Sequence, residues 1–319
     1  MKKILLATTV LVGTAGFASA EVTLSGNARM GIVNDGTDTQ FSSRVRADIA
    51  MSGETDGGLS FGGSFGVHNA GAAASGTSGS VYISGAFGKL SMGDVVGAAE
   101  AVVGDLPEIG YTDIANNDTA FIAGDGFNGT APAVLYTYSA GDLTVALGAS
   151  DGVGGVVGPF NFIASAAGFP APNVQADVQE ISVGVKYVIG DYAVSAGYEM
   201  ADYTGTGEDI FNGVSGSATH LVVGAEGTFS GVTLKAIYGQ GGDDIDGYVQ
   251  YGLGASYTAD ALTVSAMMRN DDFGNVDFTS YGVGAAYDLG GGAKVVGGIA
   301  DNDIEGSDAT YDLGVTFSF

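Results

Sequence analysis

The chain closes on Asp308-Ala-Thr-Tyr-Asp-Leu-Gly-Val-Thr-Phe-Ser-Phe319. Successive side chains of a β-strand point to opposite faces of the sheet. One face of this segment carries the larger apolar side chains, namely Tyr311, Leu313, Val315, Phe317 and Phe319. The other face carries small or polar residues, namely Thr310, Asp312, Gly314, Thr316 and Ser318. Such a segment is typical of a membrane-spanning strand, although a soluble β-sandwich uses the same alternation. The interpretation therefore depends on whether the pattern recurs and whether the chain is exported.

Export is predicted by the opposite end of the chain. Lys2 and Lys3 precede an apolar run, and the run ends in Ala18-Ser19-Ala20. A basic start, a short apolar stretch and a small-x-small site together indicate a secretory signal peptide. We therefore predict that residues 1–20 are removed and that residues 21–319 form the mature protein. No later uncharged apolar stretch is long enough for a helical span, so we expect membrane insertion downstream to use strands.

The composition excludes two protein classes. The chain has no cysteine, which rules out a disulfide scaffold. Its formal net charge is −26, with 10 basic and 36 acidic residues. Nucleic acid is excluded as a partner because such binding depends on Lys and Arg neutralising phosphates. Acidity on an exported chain suits a solvated mouth or loops bridged by cations, and acidic adhesins share it.

The spacing of turns predicts the strand number. Seven short junctions carry turn residues, near 53–58, 87–89, 140–142, 189–191, 229–231, 258–260 and 288–292. Eight longer connections alternate with them, near 34–39, 69–79, 95–131, 151–178, 201–217, 241–247, 271–276 and 302–308. Together they join sixteen strands and place both chain ends on the short-turn side. An even number of antiparallel strands with short turns on one rim and long loops on the other indicates an all-β, 16-stranded transmembrane barrel. A barrel of this width encloses water.

The inner and outer faces agree from strand to strand. In the second predicted strand Phe41 and Val45 share the outward parity, while Arg44 and Arg46 share the inward parity. Arg29 of the first strand is inward as well, so three of the few basic residues form one patch. His68 follows on the inward face of the third strand.

The connection 95–131 is the longest in the chain, and loops beyond about 12–15 residues are usually functional. It contains several acids and no Lys or Arg; the acids are Glu100, Asp105, Glu108, Asp113, Asp118 and Asp125. Were it to fold into the barrel, these acids would face the arginine patch, and opposed charges across a narrow passage sort solutes by charge. The alternatives are arginines that are merely solvated and an acidic loop that faces outside water.

Several segments resemble a known family. They are 21–31, 41–46, 84–94, 104–113, 135–140 and 281–319. They resemble the general diffusion porins of purple photosynthetic alphaproteobacteria, over nearly the whole mature chain. The resemblance implies a homotrimeric outer-membrane barrel whose third loop folds into the lumen, with calcium near that loop. It also implies passive passage of ions and small hydrophilic solutes through a barrel embedded in outer-membrane lipid. Separately, the acidic outer loops could bind divalent cations that bridge to lipopolysaccharide. Gly66 stands where relatives often carry a lysine, so we expect a stronger leaning toward cations.

Calcium is predicted as a structural ion rather than a required cofactor. Asp301-x-Asp303-x-Glu305-Gly306 imitates the spacing of a helical calcium loop, but its flanks are strands. Glu100 and Asp113 at the inward loop are the better candidate ligands, because oxygens from several backbone and side-chain groups could converge there.

We therefore predict a general porin whose constriction includes Arg29, Arg44, Arg46, His68, Glu100, Asp105, Glu108 and Asp113. A solute-specific porin and an adhesin or anchoring barrel are the alternatives. Catalysis is not expected, because neither His68 nor His220 has a marked nucleophile beside it.

Overall fold

The computed structural model describes residues 20–69, 79–115, 117–123, 133–156, 175–205, 213, 215–274, 276–303 and 308–319. For 151–156 and 175–176 it describes the backbone alone. The predicted signal peptide, apart from Ala20, lies outside these ranges, so its cleavage stays a prediction. Asp125 lies outside them as well.

Nearly all regular structure is β-strand. The strands are β1 (Glu21–Asn34), β2 (Thr39–Glu54), β3 (Ser60–His68), β4 (Ser80–Gly85), β5 (Gly88–Gly93), β6 (Ala133–Ala140), β7 (Leu143–Val156), β8 (Gln175–Ile189), β9 (Tyr192–Gly205), β10 (Ser215–Phe229), β11 (Val232–Asp243), β12 (Val249–Ala259), β13 (Leu262–Asp272), β14 (Asp277–Gly290), β15 (Ala293–Asp301) and β16 (Thr310–Ser318). The helix α1 (Ala98–Val103) lies between β5 and β6. Among the described residues there is no helix with the length and apolar character needed to cross a bilayer.

The sheet closes on itself. Each strand pairs antiparallel with its neighbours in sequence, and β16 returns to pair with β1 from Asn27↔Ser318 to Asn34↔Tyr311. The closure extends one residue further, because the Phe319 amide donates to the Gly26 carbonyl at 2.9 Å. A closed barrel leaves no unpaired sheet edge in lipid. The predicted 16-stranded antiparallel barrel is confirmed.

The short turns lie where their residues predicted. Ser230 and Gly231, between β10 and β11, have φ of 51° and 81°. Two consecutive positive φ angles suit the tight turns that match strand twist. The strands β7 to β10 are longer than expected, and extend into the connections placed at 151–178 and 201–217. Strand pairing there uses backbone hydrogen bonds and needs no alternation of apolar side chains, so the sequence pattern did not reveal it.

The two faces of the wall differ as the alternation requires. Outward side chains are apolar and exposed, as shown by Leu24 at 72 % and Phe41 at 96 %. In β16 the outward Leu313 is 54 % exposed, whereas the inward Asp312 next to it is buried at 3 %. Inward residues therefore have something to pack against, and residues between β5 and β6 supply it.

Candidate functional site

The long loop is the segment 94–132 between β5 and β6, of which residues 94–115 and 117–123 are described. Its helix α1 packs against β7, β8, β9 and β10. The Ala98 amide donates to the Ser182 hydroxyl at 2.9 Å. A Cβ added at Gly197 would lie 2.4 Å from the Ala99 Cβ, so only a glycine in β9 lets the helix approach this closely. The first limb of the loop thus rests on inward-facing residues of the wall.

The central segment of the long loop, residues 108–113, is held by β16 and β1. Asp312 Oδ2 accepts hydrogen bonds from the Tyr111 amide at 2.8 Å, the Thr112 amide at 2.8 Å and the Thr112 hydroxyl at 2.7 Å. Arg29 Nη1 donates to the Tyr111 carbonyl at 3.1 Å. The Arg29 guanidinium carbon also lies 5.9 Å from the centroid of the Tyr111 ring. The segment is therefore fixed from two strands on either side of the barrel seam.

The returning limb, residues 117–123, is held by polar side chains on the opposite side of the barrel. Gln250 makes two bonds to Ala120, accepting from its amide at 2.9 Å and donating to its carbonyl at 2.7 Å. The Ile122 amide donates to Glu199 Oε2 at 2.9 Å. His220 lies between Glu199 and Gln250, and all three side chains are buried.

Sequence reasoning missed these anchors. Asp312, Glu199, His220 and Gln250 lie on the inward parity of their strands, which is the only signal that the sequence offered. An inward polar residue on a wide barrel is expected to meet water, and nothing local indicates that it meets a loop. The contacts agree with the expected position of the long loop inside the barrel.

Beside these contacts, a cavity of about 440 Å³ is lined by residues of the central segment and of β1, β2 and β16. Its charged lining residues are Arg29, Arg44, Glu108 and Asp113. Thr112, Tyr111 and Asn27 add polar groups, and Arg44 Nη2 donates to Asn27 Oδ1 at 3.0 Å. The arginines lie on the wall and the carboxylates on the loop, so the cavity has a positive and a negative side. The structure thus brings together four of the eight predicted constriction residues.

Two carboxylates of the long loop, those of Asp113 and Asp105, are held in an environment that favours their neutral form. Partial burial, and after it the charges of Glu108, Asp118 and Asp105, together raise the pKa of Asp113 to about 6. A hydrogen bond from the Ile109 amide opposes this rise. Burial also raises the pKa of Asp105, against a hydrogen bond from the Thr119 amide at 2.7 Å.

The other predicted residues lie outside this cavity. Arg46 Nε pairs with Asp48 Oδ1 at 2.6 Å, so its charge is compensated within its own strand. The pair lies over Gly66, where an added Cβ would be 2.6 Å from Asp48 Oδ1 and 2.8 Å from Arg46 Nη2. His68 is the cross-strand neighbour of Arg46. The position of Gly66 therefore admits the ion pair, and a larger side chain would displace it.

Asp105 and Glu100 lie toward the opposite wall. Asp105 is near Lys235 of β11 and Arg269 of β13, two basic residues that sequence reasoning had not assigned to the site. Glu100 belongs to α1, which packs on β7 to β10, whereas Asp113 lines the cavity at β1, β2 and β16. Over the part of the chain that is described, no three His, Cys, Asp or Glu side chains are grouped to hold a metal ion. Calcium binding by Glu100 and Asp113 stays a prediction.

Comparison with known proteins identifies the family. Residues 7–307 match the family described as Gram-negative porin. The chain belongs to this porin family. It is 41 % identical to a porin of Rhodobacter capsulatus, covering 94 % of this chain and 100 % of that protein. A solved porin structure, refined at 1.8 Å, is 38 % identical with a TM-score of 0.77, over 94 % of this chain and 100 % of that chain.

More distant porins share the fold. A triple mutant of Rhodopseudomonas blastica porin is 22 % identical with a TM-score of 0.65, and the match covers 93 % of this chain and 100 % of that one. At this identity the likeness shows the fold alone. The resemblance to general diffusion porins is confirmed by the nearer relatives, and the protein is an outer-membrane porin through which small hydrophilic solutes diffuse. It is a channel protein rather than a member of an enzyme family.

Proposed function

We propose that this porin selects ions by charge where the central segment of its long loop faces Arg29 and Arg44. The observation that carries the proposal is the cavity lined by these two guanidiniums on one side and by Glu108 and Asp113 on the other. Charges fixed on opposite sides of a narrow aqueous passage act on a passing ion without binding it tightly.

The balance of charge favours cations. Arg46, the third basic residue of the predicted patch, is neutralised by Asp48. Arg29 and Arg44 donate to neutral oxygens, those of the Tyr111 carbonyl and the Asn27 side chain, so both guanidiniums keep their positive charge. Glu108 and the partly buried Asp113 both keep contact with solvent, so the loop side presents two carboxylates that balance the two guanidiniums. The chain has a formal net charge of −26, and its many other acids attract cations and so tip the preference toward them.

Reversal potentials in a salt gradient test the proposal. Arg44→Gln removes one positive charge from the cavity and should raise the ratio of cation to anion permeability about twofold or more, because the charge acts within a narrow passage of low ionic screening. Lys294→Gln is the matched control, since Lys294 lies beside the short turn between β14 and β15 and outside the cavity lining. Equal ratios in both variants would place selectivity elsewhere. Anion preference in the unaltered protein would contradict the predicted sign.

We also propose, from the family resemblance, that the porin is a homotrimer and that calcium is a structural ion. From the acidity of the chain we propose that outer loops associate with lipopolysaccharide through divalent cations. Native mass spectrometry of the protein in detergent tests the trimer. Thermal unfolding with calcium or with a chelator, in the unaltered protein and in Glu100→Gln with Asp113→Asn, tests the ion and its predicted ligands. An unfolding temperature that does not change when the chelator is added would contradict the proposal that calcium is a structural ion.

A further inference from the structure

The returning limb of the long loop is held by a hydrogen-bond chain of three buried side chains. Glu199 of β9, His220 of β10 and Gln250 of β12 lie side by side, with relative exposures of 0 %, 1 % and 0 %. Two of them contact the limb directly, at Ala120 and Ile122. His220 contacts both of the others and joins them into one chain.

The hydrogen bonds determine the protonation state of His220. Each hydrogen of the Gln250 side-chain NH₂ group has a partner. One points to the Ala120 carbonyl at 2.7 Å and the other to His220 Nε2 at 3.0 Å. Because the amide nitrogen only donates, His220 Nε2 must accept. His220 Nδ1, at 3.1 Å from Glu199 Oε2, then carries the single ring hydrogen and donates it. The chain is consistent only with a neutral imidazole.

A second proton on His220 is incompatible with the two hydrogen bonds that join Gln250 to Ala120. Protonated Nε2 becomes a donor and faces the hydrogens of the Gln250 amide. If Gln250 turned over to present its oxygen to the imidazolium, its NH₂ group would face the Ala120 amide and its oxygen could no longer accept from that amide. Either arrangement leaves two donors pointing at each other in a buried site, which costs the desolvation of groups that have no partner.

Among the described residues, the other groups around His220 are engaged elsewhere. On β11 the adjacent residue is Gly239, where an added Cβ would be 2.6 Å from both His220 Nε2 and Gln250 Nε2. The Tyr248 ring is 6.1 Å from the His220 ring, and its hydroxyl donates to Asp271, which pairs with Arg269. On β8 the inward acid nearest in register is Glu180, which accepts from Ser150 at 2.6 Å. Glu199 Oε1 has no hydrogen-bond partner among the described residues, so a proton added there leaves the Oε2 bonds intact.

We propose that Glu199, His220 and Gln250 form a proton-sensitive latch, which holds the returning limb on the barrel wall when His220 is neutral and releases it when His220 Nε2 is protonated. Histidine is the side chain whose charge ordinarily changes between pH 5 and 8. The release concerns residues 117–123 and leaves the central segment in place, because that segment is held by Asp312 and Arg29. The shape of the passage would then depend on the pH of the surrounding medium.

Hydrogen exchange of the folded mature protein in detergent tests the latch directly. At about pH 5, after correction for intrinsic rates, the Ala120 and Ile122 amides should exchange at least about tenfold faster than at about pH 8. The reason is that protonated His220 places two buried donors opposite each other, which disrupts the hydrogen bonds that protect these amides. Peptides from α1 and from the central segment should change little. Equal loosening of the whole loop would overturn the proposal in favour of a general effect of acid.

Three variants assign the proton. His220→Gln keeps an acceptor toward Gln250 and cannot gain a charge, so the exchange of Ala120 and Ile122 should become independent of pH. Gln250→Glu offers a carboxylate that accepts from an imidazolium, so acid should no longer accelerate exchange there. Glu199→Gln keeps an acceptor for the Ile122 amide and should retain the response to acid. Loss of the response in Glu199→Gln together with its retention in His220→Gln would move the proton to Glu199 and refute the assignment.

His68→Gln is the matched control, because His68 is the other histidine of the chain and lies on β3, away from the returning limb. It should keep the acid-induced exchange. Single-channel recordings over the same pH range provide the functional readout, in which brief closures in acid should occur in the unaltered protein and disappear in His220→Gln. The exchange result does not depend on ion selectivity, so it separates failure of the latch from failure of the proposed selectivity.

Discussion

Replacing Asp312 with alanine tests how the central segment of the long loop is fixed. One carboxylate oxygen of Asp312 accepts three hydrogen bonds from Tyr111 and Thr112, at 2.7 to 2.8 Å. The Thr112 hydroxyl can turn to water, and the Thr112 amide is only partly buried. The Tyr111 amide is buried and would lose its partner entirely. An unsatisfied buried donor costs about 1–3 kcal/mol and the partly buried one less, so the segment should be destabilised by about 2–4 kcal/mol.

The expected signal is local. A loss of about 2–4 kcal/mol accelerates opening about 30- to 700-fold, which hydrogen exchange at the Tyr111 and Thr112 amides measures. Strand amides of β16 should keep their protection, because β16 pairs with β1 and β15 through its backbone. Single-channel current should become noisier, because Glu108 and Asp113 lose their fixed position.

Two controls accompany Asp312→Ala. Asp308→Ala makes the same change at an exposed residue before β16 and should leave exchange unaltered. Asp312→Asn keeps one acceptor oxygen of lower charge and should fall between the two. Protection of Tyr111 and Thr112 that survives in Asp312→Ala would show that the segment is held by its other contacts, and would refute the assigned role of Asp312.

Two further predictions follow from the long loop. The pKa of Asp113 is raised to about 6, chiefly by partial burial and then by neighbouring acids, so cation preference should fall as the pH drops through about 6. Asp113→Asn should abolish this change in reversal potential. Asparagine tolerates the φ of 59° that is observed at this position. The raised pKa also means that the folded protein binds more protons than the unfolded chain between about pH 4 and 6, so this group's contribution to stability should decrease as the pH rises through that window. Gly197→Ala places a Cβ 2.4 Å from the Ala99 Cβ and should displace α1, with faster exchange of its amides while the barrel stays folded. Gly57→Ala, where the nearest atom is Thr55 Oγ1 at 3.9 Å, should have no such effect, and undisturbed α1 amides in Gly197→Ala would show that the helix does not depend on close approach to β9.

The candidate site was only partly predictable. Arg29 and Arg44 could be placed on the inner wall from the alternation in β1 and β2, and Glu108 and Asp113 could be recognised as acids of an unusually long loop. That Arg46 is neutralised by Asp48 could not be seen, because both residues share one face and the sequence does not say whether their side chains meet each other or the solute. Lys235 and Arg269, the two basic residues near Asp105, were missed for the same reason.

The sequence by itself determined the barrel. The alternation of side chains with a period of two residues and the turn residues at regular intervals are both local features of the sequence, and they gave the two faces and the strand number. Closure followed from a general requirement, which is that every backbone group in lipid must be paired. Only the tertiary structure decided which wall residues hold the long loop. The anchors of that loop join residues far apart in the chain, since Tyr111 and Asp312 are separated by 201 in sequence number and Ala120 and Gln250 by 130. Hydrogen bonds of this kind depend on which wall residues face the loop in the closed barrel, and no pattern along the chain encodes which wall residue each loop residue meets.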